Sequence, residues 1–130
     1  MTDQLMCETW AQLLRPQFPQ HAQFQLKPRR RTIVVNWVPQ GSDAAALRTL
    51  SIVFTNLAWK GYRGARSARR SRADANLQAL VNAHLTHMEA DSAGGYDFGS
   101  AESELEVASV DLFPPPSGAT RATAQTIARG

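Results

Sequence analysis

The chain has one cysteine, Cys7, among its 130 residues, so no internal disulfide can form. That scarcity fits a reducing compartment. No run approaches the roughly 18 apolar residues that a membrane-crossing helix needs. The opening MTDQLMCETWAQ has neither a basic start nor a long apolar stretch, so it does not read as a secretory leader. Together these absences lead to the expectation of a cytoplasmic protein with no membrane partner. Phosphate-cradling glycine loops are also missing, because GYRG and AGGYDFGS match neither a P-loop nor a dinucleotide fingerprint. With no catalytic constellation in view, the expectation is a non-enzyme with no cofactor and no small-molecule substrate.

Lysine is scarce as well. Arginine outnumbers it twelve to two, and with the abundant alanine this is the usage of a GC-rich, bacterial genome. Hydrophobic residues make up 43% of the chain, enough for a modest core in a domain of this length. The net charge of +3 conceals a segregation. Residues 1–72 carry twelve Lys or Arg against three acids, and residues 73–130 carry two against eight. Such a dipole suits an anionic partner. It equally suits pairing of the two halves inside one fold.

Apolar spacing predicts a helix over 3–14, with Met6, Cys7, Trp10, Leu13 and Leu14 on one face, Thr2 as its cap and Pro16 as its stop. HAQFQLK (21–27) and RTIVVNWV (31–38) read as strands joined by a Pro28-led turn, and PQGSD (39–43) closes the second. TLSIVFT (49–55) alternates and is rich in β-branched residues, which favours a third strand over a helix. A helical pattern starts at Asn56. SRAD (71–74) has the form of a capping box, so a fresh helix is expected to open at Ser71. An unbroken helix would instead turn Arg69 toward the apolar stripe. Residues 90–100 read as an acidic loop and 103–113 as the last strand. The Pro/Ser/Thr/Ala-rich stretch 114–130 reads as a disordered tail.

The expected fold is therefore α+β: one domain over 1–113, in the order α-β-β-β-α-β. A small antiparallel sheet of about four strands would carry two main helices on one face. The first five elements resemble, in order, those of double-stranded-RNA-binding domains. The resemblance is of order alone, because RGARSARR does not reproduce the Lys-Lys-x-Ala-Lys-type run those domains carry at the start of their last helix.

Six of the fourteen basic residues fall in WKGYRGARSARRSRADAN (59–76). On a helix, Arg63, Arg66 and Arg70 would share a face with Lys60 and Arg69 close by, and Arg29, Arg30 and Arg31 in the turn would extend the patch. Guanidinium groups fork onto phosphates, so nucleic acid or an acidic protein is the partner this reading expects. The alternative is a protein-interaction or homo-oligomeric module. RTIVVNWV would then pair with another chain as an edge strand, and the basic helix would be solvated or ion-paired with the acidic half. Glu102, Glu104 and Glu106 alternate along the last strand and could face Arg29–Arg31 across the sheet. His84 and His87 lie three apart without a third ligand, so no metal is assigned and His84 reads as a core histidine. Cys7 lies on the apolar face of the first helix and reads as a small hydrophobe.

Overall fold

The computed structural model describes residues 2–39, 47–93 and 102–115. Helix α1 spans Asp3–Leu14 and begins where the sequence placed it. The Thr2 hydroxyl accepts from the Leu5 N–H at 3.1 Å, and Asp3 sits at the positive end of the helix dipole. Pro16 turns the chain through a 3-10 segment, Arg15–Gln17. Strand β1 is Gln23–Lys27, two residues shorter at its start than the alternation suggests. His21 lies just outside it, its Nε2 2.8 Å from the Val38 carbonyl oxygen. A second 3-10 turn, Pro28–Arg30, leads to Arg31 in the left-handed region at φ 50°, then to β2, Thr32–Trp37. Strand β3 is Arg48–Phe54, so the β-branched alternation prevails over the competing helical spacing.

The helical stretch breaks earlier than Ser71. Helix α2 spans Asn56–Gly64 and α3 spans Ser67–Ala93, with Ala65 and Arg66 between them. Ala65 takes an extended conformation after Gly64, and Ser71 lies inside α3 rather than at its cap. The early break lets Arg69 lie outward, not in the core. The last strand is also shorter than expected. Strand β4 is Glu102–Val107 and gives way to a one-turn helix, α4, Ser109–Leu112. There the Asp111 carboxylate accepts from the Ala108 N–H at 2.8 Å and closes the turn. Residues 40–46, 94–101 and 116–130 lie outside the described residues. They hold most of the loop expected at 39–43 and of the acidic loop, and the tail beyond Pro115.

The four strands lie side by side in chain order. β1, β2 and β3 are antiparallel, whereas β4 runs parallel to β3, so the sheet is mixed rather than wholly antiparallel. A parallel neighbour requires a long crossover, and α2 with α3 lies between the two strands in the chain. β2 is interior, between β1 and β3, so RTIVVNWV cannot serve as the edge strand of an assembly; the edges are β1 and β4.

All three long helices contribute to the core on one face of the sheet. Ile33, Val35, Trp37, Leu50, Ile52 and Phe54 project into it from the strands. Met6, Cys7, Trp10 and Leu14 meet them from α1, Trp59 and Tyr62 from α2, and Leu77 and Val81 from α3. Trp10 is the centrepiece. It stacks on Phe54 with centroids 3.9 Å apart and tilts against Tyr62 at 4.7 Å. Burial pushes the Cys7 thiol up to about 11, with Glu8 adding to the effect, so at neutral pH it stays protonated as a core hydrophobe.

Candidate polyanion-binding surface

The opposite face of the sheet is polar. The register aligns Gln25, Val34, Ser51 and Glu104 in one row and Lys27, Thr32, Val53 and Glu106 in the next. Glu102, Glu104 and Glu106 are exposed on this face, and Leu105 and Val107 point to the helices. Arg29 and Arg30 in the β1–β2 turn are separated from Glu106 by β2 and β3, and Arg31 bonds to the end of β3 at Phe54. Among the described residues the three glutamates form no ion pair. The acidic strand therefore does not cover the arginines of the helices, which lie on the other side of the sheet.

Those arginines serve different purposes. Arg70 is half-buried and structural: Nη2 donates to the Arg63 carbonyl oxygen at 2.8 Å and Nε to the Tyr62 carbonyl oxygen at 3.2 Å. It thereby satisfies the exposed carbonyl end of α2 from the start of α3. Its guanidinium also lies 5.2 Å from the Tyr62 ring, and Tyr62 in turn donates through its hydroxyl to Asp74 at 2.7 Å. Burial, then the bond to Asp74, push the Tyr62 phenol well above its ordinary value. Arg31 is likewise internal, with Nε donating to the Phe54 carbonyl oxygen at 3.2 Å. Arg69 lies outward over the Phe113 ring, 4.4 Å from its centroid. Arg63 pairs with Asp3, which also accepts from Trp59 Nε1 at 3.0 Å.

Lys60, Arg66 and Arg72 are exposed at the α2–α3 corner. Among the described residues the cations of this corner form one salt bridge, Arg63 with Asp3, and Asp74 accepts from Tyr62 beneath Arg70. The first turns of α3 hold Arg69, Arg70 and Arg72 and no acid before Asp74, and no described side chain caps the helix. Arg69, in the first turn, faces the positive end of the helix dipole, which costs about 0.3–1 kcal/mol at an exposed site.

Arg29 and Arg30, exposed in the β1–β2 turn, line a groove of about 640 Å³ with Gln4, Lys27 and Pro28. Asp3, the partner of Arg63, and Gln4, which lines the groove of the turn cations, are consecutive at the start of α1 and link the turn to the corner. The structure thus gathers Lys60, Arg63, Arg66, Arg69, Arg29 and Arg30 around one end of the sheet. It withdraws Arg31 and Arg70 into structural roles and adds Lys27 and Arg72. Arg72 was legible in the basic run; Lys27 was hidden as a lone strand-end cation. His84 is partly buried, with Nε2 2.7 Å from the Ser103 hydroxyl oxygen of β4, and His87 does not join it in a metal cluster among the described residues. No described helix is long and apolar enough to cross a membrane.

The molecule is a small α+β domain with a four-stranded mixed sheet, one helix-covered face and an arginine-rich corner. It belongs to the family DUF3022, described as a protein of unknown function, which it matches over residues 7–98. The match takes in α1 through α3, and hence the corner. No curated protein and no solved structure matches the chain.

Proposed function

We propose that the protein is a non-enzymatic polyanion-binding module whose α2–α3 corner contacts the phosphate backbone of nucleic acid. One observation carries this reading: cations crowd the dipole-positive start of α3, and the chain's acidic strand faces the other way. The carbonyl end of α2 accounts for Arg63 and Arg70, but it leaves Arg66 and Arg69 at the start of α3, where acids stabilise and arginines do not. A phosphate at the corner would offset the repulsion and accept forked bonds from Arg66, Arg69 and Arg72. Arg29, Arg30 and Lys27 would extend the contact along the same end of the sheet. No base-reading motif accompanies them, so the binding is sequence-tolerant.

The test is fluorescence anisotropy with labelled random duplex DNA, duplex RNA and single strands across a salt series. With about five phosphates neutralised, the log–log salt slope on duplex DNA is near −4.5. The double substitution of Arg66 and Arg72 with alanine lowers that slope by about two. Absence of binding at ~50 mM salt, where phosphate contacts are strongest, refutes the proposal.

A further inference from the structure

The β1 edge of the sheet is self-complementary. α1 packs over β1 and β2 and runs antiparallel to β1, with Arg15 over Phe24 at one end and Gln4 beside Lys27 at the other. Between them lies a groove of about 230 Å³ lined by Glu8, Ala11, Gln12, Arg15, Phe24 and Leu26. Glu8 and Arg15 are seven residues apart, about two helical turns, so they share this flank of α1. Their midpoint falls between Ala11 and Gln12. Phe24 and Leu26 flank Gln25, the middle residue of β1.

We propose that this edge is an isologous association surface whose occupant is a second copy of the chain, paired antiparallel through β1. A two-fold axis at Gln25 sets Phe24 of one copy near Leu26 of the other. The same axis passes α1 near Ala11–Gln12, so Glu8 of one copy faces Arg15 of the other, and the reverse contact follows by symmetry. The spacing suits these residues. Strands lie about 4.8 Å apart, so two helices each seated midway over β1 and β2 stand roughly 10 Å apart across the axis. Directly packed helices stand about 8–10 Å apart, so the flanks bearing Glu8, Gln12 and Arg15 come within side-chain reach of each other.

The other edge is built against such pairing. β4 carries three exposed glutamates along its six residues, which would repel the same row of a second copy. β1 pairs with β2 residue for residue, without a bulge, and its exposed side chains are Gln23 and Gln25. An edge whose exposed side chains are neutral, beside an opposite-charge pair with its own symmetry axis, selects a copy of itself over a foreign strand. This inference is independent of the arginine corner, which lies at the end of the sheet.

Sedimentation velocity on the full chain, from ~5 to ~500 µM, should show a monomer–dimer equilibrium that follows mass action. Glu8→Arg and Arg15→Glu each set like charges across the axis and weaken association about tenfold or more. The doubly reversed variant E8R/R15E restores it to within about threefold, because the swapped pairs are again opposite. Glu8 and Arg15 are exposed, so the variants keep the fold, which thermal unfolding verifies. Hydrogen exchange adds a positional readout: amides of Gln23–Lys27 gain protection as concentration rises, and those of Glu102–Val107 do not. A monomer at every concentration overturns the proposal. So do single reversals that leave the dimer intact, a double variant as weak as the singles, or protection that rises on β4 alone.

Discussion

Arg70 closes the carbonyl end of the helix before it, with Nη2 2.8 Å from the backbone oxygen of Arg63. One of the most suggestive arginines of the basic run is thus committed to holding the α2–α3 corner in shape. Substitution with alanine leaves the Tyr62 and Arg63 carbonyls without this partner and costs about 1–2 kcal/mol in urea unfolding. Arg66→Ala and Arg72→Ala, on exposed side chains, stay within about 0.5 kcal/mol of the parent. The three variants therefore separate loss of shape from loss of charge. A drop in polyanion affinity in Arg66→Ala at unchanged stability reports a direct contact; the same drop in Arg70→Ala does not.

Asp3 is the carboxylate that Arg63 and Trp59 share. Asp3→Asn keeps an oxygen for the Trp59 N–H and removes the negative charge. Helix α1 loses a favourable dipole contact of about 0.3–1 kcal/mol. Arg63 is released, so duplex affinity rises and the salt slope steepens by about one. The salt series that tests the proposed function reads both effects.

His84 gives stability a pH dependence. Burial, then the neighbouring charge of His87, lower its proton affinity in the fold. An ordinary histidine takes its proton near pH 6.5, and the unfolded chain retains that value. Below it the unfolded chain binds more protons than the fold does, so stability falls as pH drops through about 6.5 and is fully present above. Melting temperatures between pH 8 and pH 5 should decline on the acid side. His84→Gln, which can still bond to Ser103, flattens that decline.

Two glycines of α2 differ in their surroundings. A methyl group at Gly64 would meet nothing within 4 Å, and one at Gly61 would lie 3.1 Å from the Phe113 ring. Gly64→Ala gains about 0.4–1 kcal/mol from reduced freedom of the unfolded chain. Gly61→Ala gains less, because Phe113 must shift and loosen its contact with Arg69. Chemical denaturation of the two variants gives the order directly.

Much of this architecture was legible. The Thr2 cap, the Pro16 stop and the alternation of Leu50, Ile52 and Phe54 are local signals, and local signals decided those elements. The break at Ala65 was missed because the Ser-x-x-Asp pattern at 71–74 outweighed the glycine at 64, a residue that also ends helices. α4 escapes a local reading because its closing bond, from the Ala108 N–H to the Asp111 carboxylate, lies in a segment too short to show helical periodicity. The parallel partner of β3 and the interior place of β2 depend on contacts distant in sequence, which no local pattern encodes. At the corner, residue type and spacing identify the cations. They could not tell that Arg31 and Arg70 turn inward onto carbonyl oxygens, because a guanidinium that caps a helix and one that awaits phosphate look alike in sequence.

The parallel pairing of β4 with β3 also sets an order of events during synthesis. The first three strands and their helices leave the ribosome before the residues that complete the sheet. Until Val107 emerges, the outer edge of β3 has no strand beside it, and Leu50, Ile52 and Phe54 lie along that margin. A nascent chain stalled after α3 therefore presents a sticky, half-closed sheet, the kind of species that aggregates or recruits chaperones. Its remedy lies in the last six-residue strand, whose three glutamates keep the finished edge from being sticky in its turn.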